Sequence, residues 1–287
     1  EAFANLLNEW RAEVKKHNVT YFYDFGKQGI AHQIMVEDGH VLPGTISVGT
    51  DSHANTYGAL GAVGNAVSVT DAAVAMATGK LWFRVPETVK FHITGEWQPW
   101  VMGKDLAMHI MNMMHWNGDL IYKALEYSGP AIDSLSMAGR ITLCNMTVDL
   151  GAKNGIIAPD KKTEDYLSSI AKGDWDFLDS DSDAVYDAEY EVDISDIAPQ
   201  VARPDKLDDV VPVDDVIGKK LTQVFIGTCT NGRVEDFAVA ASILKDKKVH
   251  DDINMLMVPA SQEQFLQATE KGYIATLVKA GVAIGTS

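Results

Sequence analysis

Two short segments of the sequence combine residue types that suit acid–base and metal chemistry. Residues 226–233, Ile-Gly-Thr-Cys-Thr-Asn-Gly-Arg, place Cys229, one of only two cysteines, in a glycine- and hydroxyl-rich turn after an apolar run. Residues 49–53, Gly-Thr-Asp-Ser-His, place Asp51 and His53 at a similar junction. A thiol can bind iron or act as a nucleophile, and an Asp/His pair can move protons. Together the segments supply complementary parts of a reaction site.

The surroundings of the two cysteines predict different roles for them. Backbone N–H groups of the turn around Cys229, with a helix N-terminus next to them, favour a thiolate, which suits a metal ligand or a nucleophile. An inert buried cysteine is the alternative. Cys144 lies between apolar neighbours, Leu143 and Met146, in the sequence Leu-Cys-Asn-Met. We therefore expect Cys144 to be structural.

The histidine and aspartate candidates suggest a proton-transfer group. Asp51 and His53 are two positions apart, so on an extended segment both side chains would face one side. His32, in Gly-Ile-Ala-His-Gln, is a candidate partner for this pair. An aspartate that holds one ring nitrogen of a histidine leaves the other free for proton transfer. The alternative for each histidine is a buried ring satisfied by a carboxylate, and the remaining histidines are assigned no role.

Composition excludes several classes of function. The chain has 287 residues and a net charge of −16, which would repel nucleic-acid phosphates and anionic membranes. It contains neither an apolar stretch long enough to span a bilayer nor a signal-peptide pattern. Two cysteines far apart in sequence fit a reduced protein rather than a disulfide framework. We expect a cytoplasmic protein without nucleic-acid or membrane partners.

The order of the predicted elements indicates the fold class. Strands alternate with helices over short links, which is typical of an α/β fold with α/β/α layers and mainly parallel sheets. We expect three such units, at residues 1–86, 87–205 and 206–287. The first residue is a glutamate within a helical pattern, and the chain stops at Ser287, just after a predicted strand. We therefore expect the fold to be truncated at both ends and the chain to be part of a longer protein.

Four local predictions concern individual elements. The run 19–25 is rich in β-forming residues and predicts a strand. Residues 104–116 predict a helix whose methionine stripe fills the core. The acidic stretch 174–196 is interpreted as a solvated connecting arm, with a cation site as the alternative. A strand at 223–227 would place Cys229 at its carboxyl end, where open α/β sheets bind ligands.

Several of these motifs together resemble those of a known family. In order and spacing, the chain resembles the aconitase superfamily at residues 29–33, 41–44, 49–61, 79–82, 144–146 and 226–233. The Thr-Tyr-Gly-Ala that begins at residue 56 and the Gly-Lys-Leu-Trp of residues 79–82 resemble the 3-isopropylmalate dehydratase large subunit more than aconitase, and the homoaconitase large subunit is an alternative. The resemblance implies a hydro-lyase of leucine biosynthesis that isomerises a small anionic hydroxy acid by dehydration and rehydration.

The resemblance also implies a cofactor and a partner. In the family, a [4Fe–4S] cluster is held by three thiolates, and its open iron acts as a Lewis acid on the departing hydroxide. Cys229 matches the first of these cysteines, and two further cysteines are expected beyond Ser287. The base that removes the substrate proton comes from a swivelling domain on a separate small subunit. We therefore expect this chain alone to hold no intact cluster and to be inactive.

The resemblance also suggests roles for five other positions. Asp51 and His32 match an acid–imidazole pair near the leaving hydroxyl, and His53 matches a histidine that bonds the iron-bound oxygen. Ser52 is a substrate-binding candidate that also shapes the turn. Asp149 stands where the family usually has a glutamate, so its hydrogen bond is expected to be missing or bridged by water.

Two other interpretations of the sequence remain open. The first is a mononuclear metal hydrolase that holds zinc with His32, Asp51 and His53. The second is a non-catalytic relative that serves as a binding or assembly module, which the departure at Asp149 would fit.

Overall fold

The structure, a computed structural model, describes residues 2–115 and 117–286. The α-helices of these ranges are α1 (Ala2–Lys16), α2 (Ala31–Glu37), α3 (Val69–Thr78), α4 (Gly103–Met114), α5 (Pro130–Ser134), α6 (Met137–Asn145), α7 (Lys161–Leu167), α8 (Val234–Leu244), α9 (Gln262–Glu270) and α10 (Tyr273–Ala280). Short 3₁₀ segments are Ser52–Leu60, Met146–Leu150 and Val213–Val216. None of the helices found in these ranges is long and apolar enough to cross a membrane.

The strands form small sheets that are parallel with one exception. They are β1 (Ile46–Gly49), β2 (Val63–Ala66), β3 (Thr88–Thr94), β4 (Ala124–Ser128), β5 (Asn154–Ile156), β6 (Ala188–Asp193), β7 (Gln200–Ala202), β8 (Val210–Pro212), β9 (Gln223–Ile226), β10 (Asn254–Met257) and β11 (Ala283–Ile284). The parallel sheets have the orders β1-β2, β5-β4-β3-β6 and β11-β10-β9, whereas β7 and β8 pair antiparallel. The predicted α/β fold with mainly parallel sheets is confirmed.

Two hydrophobic cores support these sheets. The larger extends from Val36 to Val210 and the smaller from Phe237 to Val282. In the larger core, β3 alternates buried and half-buried side chains, as a strand covered mainly on one face does. The methionine stripe of α4 is buried there, as predicted. The division of the chain at residues 86 and 205 stays a prediction.

Three local predictions need correction. The run 19–25 is not a strand; in its place, the Tyr23 hydroxyl makes 2.5 Å hydrogen bonds with Asp38 and His40. The stretch 174–196 is only partly a connecting arm, because its last residues form β6, which pairs with β3. The acidic side chains of β6 alternate onto its exposed face, so they do not prevent strand formation at a sheet edge. The helix predicted for 104–116 ends at Met114, and its predicted last residue, Trp116, lies outside the described residues.

Close backbone packing positions the first part of the chain on the second. The 3₁₀ segment Ser52–Leu60 lies against β5, and Ile157 N donates to Gly58 O at 3.0 Å. A Cβ atom on Gly58 would collide with the carbonyl oxygen of Gly155, so only glycine allows this approach. This close packing fixes the position of the 3₁₀ segment, and of the Asp51 turn that precedes it, relative to β5.

Candidate active site

The turn after β1 forms one wall of the candidate site. Asp51 caps the 3₁₀ segment, since its Oδ1 accepts a hydrogen bond from His53 N at 2.7 Å. The same oxygen lies 3.6 Å from His53 Nδ1. Residues 51–53 are not extended, since the chain turns into the 3₁₀ segment directly after β1. The two side chains still face each other, and the cap rather than strand geometry brings them together.

His32 lies in α2 with its ring 1% exposed. Its Nε2 lies 2.6 Å from Cys229 O, and because a carbonyl oxygen only accepts, Nε2 carries the hydrogen. Nδ1 lies 3.6 Å from Asp51 Oδ1 and has no direct hydrogen-bond partner among the described residues. Burial lowers the pKa of His32, and the Cys229 carbonyl and Asp51 oppose that shift. His32 is thus a largely neutral imidazole whose second nitrogen faces a carboxylate.

Cys229 follows β9 at the carboxyl end of that strand, as predicted. Thr228, just before it, has φ 72°, a left-handed conformation that is uncommon outside glycine. The Cys229 sulfur is half-buried and lies 3.7 Å from His53 Nδ1. Burial raises the pKa of Cys229 despite a hydrogen bond with Thr230. The hydrogen bonds of the turn lower the pKa as predicted, but burial outweighs them, and binding a metal would deprotonate the sulfur.

His53 lies within 4 Å of both carboxylates of the site and of the cysteine sulfur. On its Nδ1 side lie Ser52 Oγ at 3.0 Å and Cys229 Sγ at 3.7 Å. Asp149 Oδ2 lies 3.8 Å from Nε2, too far for a direct hydrogen bond. The pKa of His53 is raised, chiefly by Asp149 and further by Asp51, against the effect of burial. The ring is thus suited to carry a proton between two carboxylates.

Asn145 is a member of the site to which sequence analysis assigned no role. It ends α6, is completely buried, and donates from Nδ2 to Cys229 O at 3.0 Å and to Thr56 Oγ1 at 2.8 Å. The signal in the sequence was weak: a lone amide between apolar residues, whose partners are far along the chain. Asn145 therefore links α6 to both the cysteine turn and the 3₁₀ segment after β1.

A cleft of about 640 Å³ adjoins these residues. Asp149 and Thr228 lie in its wall and connect it to the site, while Met108, Met111 and Phe225 supply apolar surface. This volume lies within the ordinary range for small-molecule pockets, roughly 300 to 1,000 Å³. The cleft can admit a small organic acid with an apolar substituent.

The implied [4Fe–4S] cluster can be tested against the available donors. Such a cluster in this family needs three thiolates, and Cys229 offers one accessible sulfur. Cys144 is fully buried, and burial strongly raises the pKa of its thiol, so its predicted structural role is confirmed. Within residues 2–115 and 117–286, no three His, Cys, Asp or Glu side chains are arranged to hold a metal ion. These residues offer one accessible thiol and do not fit the whole cluster.

The carboxyl end of the chain is where the two remaining cluster ligands were expected. The described residues end at 286, so Ser287 itself lies outside them. The printed sequence contains no cysteine after Cys229, so neither expected thiolate is among its 287 residues. Two further cysteines beyond Ser287 therefore stay a prediction about a longer protein.

Comparison with known proteins supports the resemblance. The sequence matches the aconitase family (aconitate hydratase) over residues 4–287. It is 46% identical over 286 residues to a probable methanogen homoaconitase large subunit of Methanosarcina mazei, covering 100% of this chain and 72% of that one. It is 44% identical over 286 residues to the 3-isopropylmalate dehydratase large subunit of Desulfitobacterium hafniense, covering 99% and 68%. The same subunit of Thermoanaerobacter pseudethanolicus is 44% identical over 283 residues, covering 99% and 67%.

The matches agree with the structure. They extend over the cysteine turn, the Asp-Ser-His turn and the helix that carries Asn145, and the mainly parallel sheets are consistent with them. The relatives are named as large subunits, which implies that each works with a smaller one. This chain belongs to the aconitase family.

Proposed function

We propose that the protein is the large subunit of an iron–sulfur hydro-lyase that interconverts 3-isopropylmalate and 2-isopropylmalate, a reaction of leucine biosynthesis. The observation that carries this proposal is the convergence of five groups from distant segments: His32, Asp51 with His53, Asp149, and Cys229. Each lies within 4 Å of another member. Relatives at 44% identity that are named for this activity support the choice of substrate.

The reaction removes a proton from one carbon and hydroxide from its neighbour, and then adds water back in the opposite sense. His53 is the group we assign to the departing hydroxide, since its raised pKa favours the protonated ring that would release it as water. Asp51 Oδ1 lies 3.6 Å from both His53 Nδ1 and His32 Nδ1. Asp51 therefore couples the two imidazoles and can stabilise positive charge on either.

We propose that Cys229 is one of three thiolates that hold the [4Fe–4S] cluster in the complete protein. In the complete protein such a cluster would supply Lewis-acid chemistry at the substrate hydroxyl, and Cys229 would be one of the residues that hold it. The other two thiolates would belong to a Cys-x-x-Cys after Ser287, and a small subunit with a swivelling domain would bring the carbon base. A reducing cytoplasm suits an iron–sulfur cluster and a protein whose two cysteines are both free thiols.

The test uses the full-length protein assembled anaerobically with its small subunit. Incubation with 3-isopropylmalate in D₂O should give 2-isopropylmalate that carries deuterium on carbon, detected by NMR, through an unsaturated intermediate detected by ultraviolet absorbance. His53→Gln should abolish most of this turnover. His250→Gln is the matched control, because the side chain of His250 is 71% exposed and its ion-pair partner among the described residues is Asp252. An active His53→Gln enzyme, or a wild type that leaves isopropylmalate unchanged, would overturn the proposal.

Homoaconitase activity is the second candidate, because a relative of that name is 46% identical over 286 residues. Parallel assays with isopropylmalate and with homoaconitate, the compound that this relative's name implies, decide between the two by the ratio of their kcat/KM values. The zinc-hydrolase alternative is contradicted by geometry, since the described residues hold no three-donor group and His32 Nε2 is bonded to Cys229 O. A non-catalytic relative would turn over neither acid.

A further inference from the structure

Arg233 is a buried cation whose bonds go to uncharged groups. It is 3% exposed and stands as the N-cap residue of α8, four residues after Cys229. Burying a guanidinium costs free energy unless its N–H groups are well paired, and truncating such a group leaves its partners unsatisfied. The groups that Arg233 bonds therefore indicate which part of the structure depends on this buried cation.

The guanidinium bonds the immediate neighbours of the site residues. Its Nε donates to Oε1 of Gln33, the residue after His32, at 2.8 Å. Its Nη1 donates at 2.8 Å to O of Thr230, the residue after Cys229. Nη1 also donates at 3.1 Å to Thr142 Oγ1 in α6, the helix that carries Asn145. One planar group thus joins α2, α6 and the cysteine turn, and it also lies in the wall of the cleft.

We call the Arg233 guanidinium and its three acceptors the clamp. A second set of hydrogen bonds fixes the orientation of the Gln33 amide within this clamp. Gln33 Nε2 donates to Glu37 Oε2 at 2.9 Å, so the amide cannot rotate its oxygen away from Arg233 without losing that bond. Gln264 Nε2 donates to the same oxygen at 3.2 Å, and Val234 N donates to Gln264 Oε1 at 2.9 Å. The network thus leads back to Val234, which is the residue that follows Arg233. The Glu37 carboxylate lies one amide away from the guanidinium, whose positive charge is offset chiefly by Asp236 and further by Glu235 and Glu37.

We infer that Arg233 is a positioning residue that sets the His32 imidazole against the Cys229 turn. Its action is on the 2.6 Å contact from His32 Nε2 to Cys229 O, since it bonds the residue that follows each partner. Loss of the clamp would let α2 and the turn shift independently, so that Asp51 and the sulfur no longer meet the two imidazoles in one geometry. The activity readout rests on the proposed function, whereas the contact itself does not.

The experiment compares Arg233→Gln and Arg233→Lys in the full-length protein with its small subunit. Outer residues that orient ligands and imidazoles typically change activity by about 10- to 100-fold, and we expect kcat to fall in that range with KM little changed. The ¹⁵N–¹H signal of His32 Nε2 should move in histidine-labelled protein. Lysine keeps the charge but not the planar fork, so Arg233→Lys should recover part of the Tm without recovering kcat.

Arg140→Lys is the matched control. Arg140 is also fully buried and also bonds a carbonyl oxygen, that of Ile132, but its ion-pair partner is Asp160, outside the site. The Arg140→Lys substitution should lower Tm and leave kcat and the His32 signal unchanged.

The inference is overturned if folded Arg233 variants keep the wild-type kcat and His32 signal, or if Arg140→Lys lowers kcat as much for the same loss of Tm. Should Arg233→Gln fail to fold, Gln33→Met removes the acceptor of the Arg233 Nε hydrogen bond together with the bond to Glu37, and an unmoved His32 signal in that variant would also refute the inference. A wild type inactive on isopropylmalate, with the His32 signal still displaced in the Arg233 variants, would refute the proposed function alone.

Discussion

Replacing Asp149 with asparagine removes the carboxylate that acts on His53 and nearly keeps the side-chain shape. Asp149 Oδ2 lies 3.8 Å from His53 Nε2, and the side chains are 33% and 18% exposed. Unit charges about 4 Å apart interact by about 1 kcal/mol in water and about 4 kcal/mol at an effective dielectric constant near 20. Because both groups are partly solvated, we expect a value of about 1 to 2 kcal/mol. The pKa of His53 should fall in Asp149→Asn.

The sign of the stability change follows from the same pair. Asp149 raises the pKa of His53 above its ordinary value of 6.5, so the interaction stabilises the folded protein fully below that pH. The stabilisation is lost as the pH rises through the raised pKa of the folded state. Asp149→Asn should therefore lower the free energy of unfolding at mildly acidic pH and leave it nearly unchanged in alkali.

Asp149→Glu tests the distance directly. One added methylene can bring the carboxylate from 3.8 Å into hydrogen-bond range of His53 Nε2, which should raise the pKa of His53 further. An NMR titration of the His53 ring should give the order Asn, Asp, Glu from lowest to highest pKa. Asp181→Asn, an exposed acid of the arm, is the control. Equal His53 titrations in the asparagine variant and the wild type would refute the reasoning.

Three further outcomes are expected. Asp160→Asn leaves the buried Arg140 without its carboxylate and should cost about 3 kcal/mol in urea unfolding, so a cost near zero would show that the pair is not needed. In the reconstituted full-length protein, Cys229→Ser should lose most of the cluster absorbance, whereas Cys144→Ser should keep it and lower only Tm; equal absorbance losses would contradict the assignment. The 287-residue chain alone, treated anaerobically with iron and sulfide, should form no stable cluster and show no turnover, and a persistent cluster band would disprove this.

Residues in local motifs could be predicted from the sequence, and residues defined by distant partners could not. Asp51, His53 and Cys229 stand in turns whose neighbours already indicate chemistry. Asn145 and Arg233 bond partners 84 and 200 positions away, and no local pattern contains that information. The resemblance to a family identified the segment around Asn145 without giving it a role, and the contacts of the folded chain supply one.

The same distinction applies to the fold. Alternation of strands and helices predicts parallel sheets because each short link allows few topologies. Strand β6 was not predicted, because its three acidic residues indicate a solvated segment more strongly than its alternation of polar and apolar residues indicates a strand. An edge strand nevertheless tolerates charge on its solvent face. The run 19–25 was predicted as a strand from propensity alone, which does not ensure a neighbour with which to pair.

The contacts at the site close into a loop, and this explains why no single residue accounts for it. His32 Nε2 bonds Cys229 O, Cys229 Sγ contacts His53 Nδ1, and Asp51 Oδ1 faces both rings at 3.6 Å. A displacement of any member changes the geometry of two others, because each is already tied to its neighbours. Effects of single substitutions within such a loop do not add, since the first removes the geometry that the second would have disturbed. The site therefore depends on buried residues that hold these contacts in place, such as Asn145 and Arg233, as much as on the reacting groups themselves.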